Sequence, residues 1–412
     1  MHGRDLQSVT GLLADMPLET KLLQRSGERA TFRVKPPHDA WLGIHQLRAL
    51  TSESASMPRL FVIDELPLIR QRAGNHSMAQ AQPLSLPAAV AGQTSRGKVD
   101  YYRFKLDAPV ALTFEVAARR LGTGPDTKLG GDETGRLVTI DPVLRILDGE
   151  GRELAFADDT PGLTGDVRYR HRFEKPGEYL VSIHDVQFHG GAAHQYVLRL
   201  GDFPDAAVCY PAAAPADTVR KSVKLFGING SEHLEPSAVD ASGAVLDGVA
   251  WLSARGRSGV QSLALPCLTA ELPEVNEVEP NDAVAAAQLV SLPVACNGRL
   301  ETPADVDSYA VMLRKGQRVR VTIVARNVGS TIWPALRVLG VNGKQIAATS
   351  ENGTNVPNEA ANDPRLDPPP VTFTAGADGR HVIQVSRRAG QTGRAAIYRL
   401  EIEPFAGAFT LR

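Results

Sequence analysis

Apolar and polar residues alternate along several stretches of the chain. In QRVRVTIVA, the apolar residues Val319, Val321 and Ile323 are separated by arginine and threonine, and LTFEVAA repeats the alternation from Leu112 onward. A period of two places successive side chains on opposite faces of a strand, so it predicts strands with one buried face. Because helical periodicity is almost absent, the sequence predicts an all-β fold of antiparallel sheets.

A turn signal separates two of the predicted strands. In LRVLGVNGKQIA, Asn342 and Gly343 lie between two apolar runs. Asparagine and glycine tolerate the positive φ that both central residues of a type I′ turn require. The stretch therefore predicts a β-hairpin closed by a type I′ turn.

The chain contains an internal duplication. Glu65-Leu66-Pro67 returns as Glu271-Leu272-Pro273 (271 − 65 = 206), and Val99-Asp100 returns as Val306-Asp307 (306 − 99 = 207). Further on, IDPVLRILDGEGRELA (140–155) corresponds to IWPALRVLGVNGKQIA (332–347) at an offset of 192. Similarity at offsets of 206 and 207, and then at 192 beyond an insertion, indicates a repeated unit. The first copy has 15 extra residues (207 − 192), near TGPDTKLGGDETGRL.

The duplication predicts four modules. A Pro- and Ala-rich junction, FPDAAVCYPAAAPAD (203–217), separates the two copies. We expect small modules at 1–66 and 204–273, larger modules at 67–203 and 274–405, and a tail at 406–412. Each module is long enough to bury a core of its own.

Composition and charge exclude several classes of protein. Lys plus Arg total 45 and Asp plus Glu total 46, and no basic run stands out, so the chain lacks the positive field that favours nucleic-acid binding. With 37 Gly and 28 Pro, the composition is typical of a turn-rich globular protein. No apolar stretch approaches the ~18 residues of a membrane-spanning helix, and the first residues lack the pattern of a secretory signal.

The order of several motifs resembles a known family. EPND, SLP, DVDSY, ARNVGS, the Asn-Gly hairpin and the closing YRLEIEP together resemble the bacterial pre-peptidase C-terminal (PPC) domain. The resemblance covers residues 274–405 and, in a weaker form with an insertion, residues 67–203. The small modules at 1–66 and 204–273 resemble immunoglobulin-like domains of the IPT/TIG type.

The resemblance implies a fold and a role. The fold would be a tandem array of antiparallel β-sandwiches, in which jelly-roll-like PPC domains alternate with small Ig-like domains. The role would be that of a non-catalytic bacterial module, secreted, periplasmic or at the cell surface, that attaches to a protein or polysaccharide polymer. Relatives in the family, the collagen-binding domains of clostridial collagenases, bind calcium through a Glu-x-Glu-x-Asn-Asp linker and nearby aspartates.

The stretch NEVEPNDA has two interpretations. In an extended segment Glu277 and Glu279 point the same way, and Pro280 stiffens a turn that returns Asn281 and Asp282 toward them. Calcium takes about six to eight oxygen ligands from groups of this kind. Alternatively, Asn281 or Asp282 caps a short helical turn through AVAAAQ while the glutamates face water. The family resemblance favours calcium.

The first copy provides an internal comparison for this site. Its equivalent positions carry Gln71, Ala73, Asn75 and His76. Three charged oxygen donors are lost together, as expected if a metal ion is lost. We therefore predict calcium binding in 274–405 only.

Two aspartates near the next predicted strand are further candidate ligands. Asp305 is matched in the first copy by Lys98, a cation that a calcium site would not tolerate. Asp307 is matched by Asp100, which persists in the copy without a site. We therefore rank Asp305 as the stronger candidate ligand and Asp307 as the more structural residue.

Other polar groups are weaker candidates for metal binding: His184, His189 and His194 for a transition metal, and Asp158, Asp159 and Asp166 for a second calcium ion. Histidines in such a loop more often face solvent, and a polar loop after a strand explains the aspartates equally well. The three cysteines leave open one disulfide, with Cys209 and Cys267 as the candidate pair, or free thiols at these positions and at Cys296.

The sequence contains no catalytic motif that would indicate an enzyme. It lacks HExxH, GxSxG and a phosphate-binding loop, so we expect no enzymatic activity. Two roles remain open. The chain is either an array of binding or adhesion modules, or a spacer or a folding and targeting appendage of a larger secreted hydrolase whose catalytic domain is not in this chain.

Overall fold

The described part of the chain is all-β. The computed structural model describes residues 6–38, 40–122, 139–192, 194–227, 236–237, 245–246, 248–349 and 367–405. Within these residues about 5% are helical, in the helix α1 (Val219–Ser222) and in 3-10 turns at Leu6–Ser8, Met78–Gln80, Arg119–Leu121, Val284–Ala286 and Arg326–Val328. None of these helical segments is long and apolar enough to cross a membrane. The predicted insertion near 123–137 and the tail at 406–412 lie outside the described residues.

The chain divides into two compact units. The first contains Met1–Pro204 and Arg255–Ala264, and the second contains Asp205–Ala254 and Leu265–Arg412. A short segment from the middle of the sequence thus packs with the first unit.

The first unit begins with a small module. Its strands are β1 (Gly11–Ala14), β2 (Glu19–Arg25), β3 (Ala30–Lys35), β4 (Gly43–Leu50) and β5 (Arg59–Ile63). One sheet has the order β1-β4-β5, and β2 pairs with β3. Leu6, Val9, Ala30 and Ala49 form a core against which Phe32 packs.

The rest of the first unit contains two five-stranded sheets. The strands are β6 (Leu68–Arg70), β7 (Gln82–Pro83), β8 (Ala88–Gln93), β9 (Asp100–Leu106), β10 (Val110–Ala117), β11 (Pro142–Asp148), β12 (Glu153–Ala157), β13 (Val167–Phe173), β14 (Gly177–Asp185) and β15 (Gln195–Gly201). The sheet orders are β13-β10-β15-β8-β6 and β12-β11-β14-β9-β7. Both sheets contribute to one hydrophobic core, for example through Phe114 and Leu198 from the first sheet and Tyr102 and Val181 from the second.

The second unit also begins with a small module. Its strands are β16 (Ala206–Tyr210), β17 (Ala213–Ala214), β18 (Lys224–Gly227), β19 (Pro236–Ser237), β20 (Val245–Leu246), β21 (Val249–Ala254) and β22 (Leu265–Thr269). β16 pairs with β18, and a second sheet has the order β17-β22-β21-β19, with β20 also paired to β21.

The rest of the second unit again contains two five-stranded sheets. The strands are β23 (Glu274–Asn276), β24 (Gln288–Leu289), β25 (Val294–Arg299), β26 (Val306–Leu313), β27 (Arg318–Val324), β28 (Ile332–Leu339), β29 (Gln345–Ala348), β30 (Val371–Thr374), β31 (Gly379–Gly390) and β32 (Ile397–Pro404). The sheet orders are β23-β25-β32-β27-β30 and β24-β26-β31-β28-β29. Residues of both sheets share one core.

The two larger assemblies have the same strand order. Strands β6 to β15 correspond one to one with β23 to β32, and equivalent strands have equivalent neighbours. Register is kept as well, since Ile69 pairs with Val90 and Val275 pairs with Cys296 (275 − 69 and 296 − 90 both equal 206). The duplication seen in the sequence is therefore a duplication of the fold.

The alternation that predicted the strands is confirmed by their burial. In β27 the side chains of Val319, Val321 and Ile323 are buried, while Arg318 and Arg320 are exposed. The strand thus has one face in the core and one in water, as a period of two requires.

The Asn-Gly hairpin forms between β28 and β29, but the predicted turn type is wrong. A type I′ turn requires positive φ at both central residues, and only Gly343 of the pair has it (φ 73°). Asn342 instead accepts a hydrogen bond from the Lys344 amide through Oδ1 (3.0 Å). This local bond stabilises a longer loop in which asparagine keeps a negative φ.

A buried charge network crosses one sheet of the first unit. Glu115 Oε1 accepts hydrogen bonds from Arg168 Nη2 (2.7 Å) and Arg120 Nη2 (3.0 Å), and Arg199 Nη1 lies 3.6 Å from Oε2. Burial acts to raise the pKa of Glu115, but the three guanidinium groups outweigh it and hold that pKa well below its usual range. Arg199 Nε also donates to Asp64 Oδ2 (2.6 Å), which follows the last strand of the small module.

We expect Glu115→Gln to lower the unfolding free energy of the first unit by about 3–5 kcal/mol, because it leaves buried guanidinium groups without their counter-charge. Since the folded-state pKa of Glu115 lies below the unfolded one, this carboxylate stabilises the fold at neutral pH and loses its effect as the pH falls. Urea denaturation of the full chain measures the change. Glu19→Gln is the control, because the Glu19–Lys35 pair (3.4 Å) is exposed and should contribute less than about 1 kcal/mol. Equal losses in both variants would contradict the prediction.

Candidate metal centre

The linker predicted to bind a metal runs along a sheet edge in the second unit. β23 pairs in parallel with β25, and the Glu277 amide extends this pairing by donating to Asn297 O (2.9 Å). After Pro280, Asn281 O accepts a hydrogen bond from Ser308 N (3.2 Å) on β26, which belongs to the other sheet. The linker therefore crosses from one sheet to the other at this point.

Three carboxylates converge beside the linker. One oxygen atom from each of Glu277, Glu279 and Asp307 lies within 4.8 Å of the others. Asp307 and the neighbouring Asn281 are 0% exposed, Glu277 is half-buried and Glu279 is exposed. The group could hold a metal ion, and its oxygen donors are of the kind that hard divalent cations prefer.

Three buried polar side-chain atoms at this point lack a hydrogen-bond partner. Asp307 Oδ2 accepts a hydrogen bond from Tyr398 Oη, and Glu277 Oε2 accepts one from the Arg299 amide (2.8 Å). Asp307 Oδ1 and both polar side-chain atoms of Asn281 are buried without a partner. A buried polar atom without a hydrogen-bond partner costs about 1–3 kcal/mol of stability. A bound cation would satisfy the two oxygen atoms, Asp307 Oδ1 and Asn281 Oδ1.

The electrostatics of the site also favour a cation. Burial raises the pKa of Asp307 to about 9, and repulsion from Glu277 adds to the shift. Burial likewise raises the pKa of Glu277 to about 7, with Glu279 contributing. Negative charge is therefore costly here, and a divalent cation would offset that cost.

The other two predicted ligands lie outside the group of three carboxylates. Asp282 Oδ1 accepts a hydrogen bond from Val306 N (3.0 Å), and Asp305 Oδ2 accepts one from Glu301 N (2.6 Å). Both carboxylates thus stabilise the backbone that leads into β26.

The capping interpretation of the linker is not supported. The 3-10 turn at Val284–Ala286 has Ala283 at its N-cap position, and no side chain caps it. Asn281 and Asp282 therefore lie before the turn and do not hold its amides.

The first copy keeps the scaffold and supplies protein partners to the equivalent oxygen atoms. Gln71 Nε2 donates to Asn75 Oδ1 (3.1 Å), and His76 Nδ1 lies 3.1 Å from Asp100 Oδ1. Ala73 stands where the exposed Glu279 stands in the second copy. In the first copy, side-chain nitrogen atoms thus satisfy two oxygen acceptors whose equivalents in the second copy have no hydrogen-bond partner.

The structure places Asp307, and not Asp305, in the group of three carboxylates. Asp100 persists in the first copy because His76 and Tyr196 Oη (2.9 Å) bond to its two oxygen atoms. Its persistence therefore does not argue against a ligand role for Asp307 in the second copy. Asp307 accepts a hydrogen bond from Tyr398 through Oδ2, and its Oδ1 has no hydrogen-bond partner. The carboxylate of Asp305 instead accepts a hydrogen bond from the Glu301 amide.

Sequence reasoning missed two residues that shape the site. Tyr398 Oη orients the buried aspartate. Gly298 leaves room for that ring, because a Cβ atom there would overlap Tyr398 and lie 2.7 Å from Glu277 Oε2. The duplication carried the signal, since Gly92 and Tyr196 stand at the equivalent positions of the first copy and make the same close contact.

A second acidic group lies in the first copy. Asp141, Asp158 and Asp159 each place an oxygen atom within 4.8 Å of the others, and all three are at least partly exposed. Asp166, the predicted third member, is buried elsewhere and accepts hydrogen bonds from backbone amides of the turn after β10 and from Arg120 Nε (2.7 Å). This group could hold a metal ion, but it has no buried free acceptor comparable to those of the second copy.

The three histidines are not brought together as a site. His184 Nδ1 lies 2.9 Å from Asp185 O, and its ring stacks on Phe188 with centroids 4.5 Å apart. The rings of His189 and His194 are 6.3 Å apart. Within the described residues, neither group able to hold a metal includes any of them.

No family model matches the chain, and no curated protein matches it. Among solved structures, the pre-peptidase C-terminal domain of a collagenase from Bacillus anthracis is 15% identical, with a TM-score of 0.22, over 29% of this chain and 93% of that domain. PliG from Salmonella Typhimurium, a periplasmic inhibitor of g-type lysozyme, is 18% identical, with a TM-score of 0.18, over 32% of this chain and 96% of PliG. The M60 catalytic domain with two CBM51 domains of Clostridium perfringens ZmpB is 10% identical, with a TM-score of 0.17, over 94% of this chain and 52% of that one. At these TM-scores the similarities do not place the chain in a family.

Gly298→Ala tests whether the three carboxylates bind calcium. The added methyl group would displace Tyr398 and Glu277, so we expect it to weaken any such binding roughly tenfold or more. Calorimetric titration of the full chain with calcium measures the affinity. Gly92→Ala is the matched control, because its methyl group would meet Tyr196 in the same way but in the copy without free acceptors. Both variants should lower the unfolding free energy by about 1–3 kcal/mol, and only the first should lower the affinity. A loss of affinity in both variants would contradict the assignment.

Proposed function

We propose that the chain binds one calcium ion through Glu277, Glu279, Asn281 and Asp307, and that it acts as a non-catalytic binding or accessory module. The observation that carries the proposal is the convergence of the three carboxylates, together with the buried oxygen atoms of Asp307 (Oδ1) and Asn281 (Oδ1) that have no protein donor.

The donor set fits calcium. It offers carboxylate and amide oxygen atoms and no imidazole or thiolate, which favours a hard cation over zinc or copper. Three carboxylates and a divalent ion would leave one net negative charge, and Arg299 lies close enough to lower the pKa of Glu277. The exposure of Glu279 gives the ion a path from solvent.

The wider architecture is part of the proposal. We infer an array in which jelly-roll-like sandwiches at 67–203 and 274–405 each follow a small Ig-like module, at 1–66 and 204–273. The pairs of five-stranded sheets with identical strand order support this inference, as does the motif order EPND, DVDSY and YRLEIEP. A module of this kind would work outside the cytoplasm, where calcium is abundant, and would attach to a protein or polysaccharide polymer.

Calorimetry on the full chain tests the calcium site. We expect one ion per chain, and Glu279→Gln should weaken binding roughly tenfold or more because a charged ligand is replaced by an isosteric neutral one. Asp305→Asn should change the affinity much less, since that carboxylate holds the Glu301 amide. Calcium should also raise the melting temperature of the wild type, because the ion binds only the folded state.

Asp158→Asn in the first copy is the matched control. It removes a carboxylate from the other acidic group and should leave the affinity unchanged. Absence of binding, or binding that depends on Asp158 and not on Glu279, would refute the proposed site.

Pull-down of the full chain with insoluble polymers tests the binding role separately from calcium. The proposed attachment is to a protein or polysaccharide polymer, so collagen and chitin are suitable first probes, one of each kind. Retention on one of the two polymers would support a binding module. No retention on either of them, with calcium binding intact, would favour the role of spacer or appendage.

A further inference from the structure

Two cysteines face each other inside the small module of the second unit. Cys209 lies on β16 and Cys267 on β22, two strands that belong to different sheets. Both side chains are 0% exposed and belong to the same hydrophobic core. A bond between them would therefore connect the two sheets through the centre of the module.

The contacts bring the two thiols together. Cys209 Sγ donates to Pro266 O (3.4 Å), the residue directly before Cys267. Cys267 Sγ lies 3.7 Å from Ala212 O, three residues after Cys209. Cys267 also lies close enough to raise the pKa of the Cys209 thiol. Adjacent side chains on packed strands are the arrangement from which a disulfide forms without large backbone movement.

The core around these thiols is built mainly from small side chains. Among the described residues, its buried members are four Ala, two Cys, two Val and three Leu. Small side chains bury little apolar area, so the core stabilises the module less than the cores of the larger assemblies stabilise theirs. Small domains with weak cores commonly rely on a covalent cross-link.

The third cysteine is in a different environment. Cys296 lies on β25, in the core of the large assembly of the second unit, among apolar residues such as Val294 and Leu400. Burial raises the pKa of its thiol to about 12. It serves as an internal control.

We propose that Cys209 and Cys267 form a disulfide that joins the two sheets of this small module when the chain folds in an oxidising environment. The reaction requires an external disulfide as oxidant. One cysteine thiolate attacks that disulfide and releases one small thiol, and the second cysteine thiolate then attacks the protein sulfur and releases the other. The two cysteines lose two electrons and two protons, and the oxidant gains them.

Oxidation should take place before the core closes. In the folded reduced chain, the adjacent Cys267 side chain and then burial raise the pKa of the Cys209 thiol well above its usual value, which disfavours the reactive thiolate. The bond closes a loop between positions 58 residues apart (267 − 209) and thereby restricts the unfolded chain.

Refolding of the full chain from urea in a buffer of reduced and oxidised glutathione tests the proposal. After alkylation, digestion with trypsin and Glu-C places Cys209 in the peptide 200–220 and separates Cys267 from Cys296 by cleavage after Glu271. We expect a mass for 200–220 joined to the Cys267 peptide, with Cys296 alkylated. Reduction should then lower the melting temperature of the oxidised protein on the order of 10 °C.

Variants separate the bond from general effects of oxidation. Cys296→Ser should keep the cross-link, and Cys209→Val should remove both the cross-link and the response of the melting temperature to reductant. Three alkylated cysteines after oxidative refolding of the wild type, or a cross-link that involves Cys296, would overturn the proposal. The mapping uses the wild type, so it does not depend on how well a variant folds.

Discussion

The site is governed by one constraint: a carboxylate that is buried where the linker meets the second sheet needs a positive or hydrogen-bonding partner. Asp100 and Asp307 occupy equivalent positions, are about 1% or less exposed, and each bond to a tyrosine hydroxyl. In the first copy the imidazole of His76 lies against the remaining oxygen atom. In the second copy the neighbours are carboxylates, and this makes the need for positive charge larger.

The duplication separates a constant scaffold from this variable partner. Gln82 and Gln288 each donate through Nε2 to the end of the preceding edge strand, at the same distance of 3.0 Å. Asp166 and Asp367 each accept hydrogen bonds from three consecutive backbone amides after equivalent strands. What differs is the chemistry that neutralises the buried aspartate. The two copies thus provide two solutions to the same electrostatic problem.

Much of this could be predicted from the sequence, because strands with one wet face and a duplicated chain leave local patterns. The proximity of Glu277 and Glu279 could be predicted for the same reason, because two residues that are two positions apart on an extended segment point the same way. The importance of Asp307 could not be predicted from the sequence. Its equivalent in the first copy, Asp100, persists because it meets His76, and that contact joins residues 24 positions apart (100 − 76). The type of the turn at Asn342 was missed because asparagine fits several turns, and the choice depends on the bond that its side chain makes.

In the second unit, Asn297 connects the linker that follows β23 to the small module before it. Its carbonyl accepts hydrogen bonds from the Glu277 amide (2.9 Å) and the Tyr210 hydroxyl (3.3 Å), and its Oδ1 accepts one from the Ala212 amide (3.0 Å). The Arg299 amide donates a hydrogen bond to Glu277, and the Arg299 guanidinium lies over the Tyr210 ring, 4.9 Å from the centroid. Displacement of the linker would therefore disturb the contacts that seat the small module. A ligand that orders this linker would therefore also order the contacts between the linker and the small module. Such a mechanical role needs no catalytic residue.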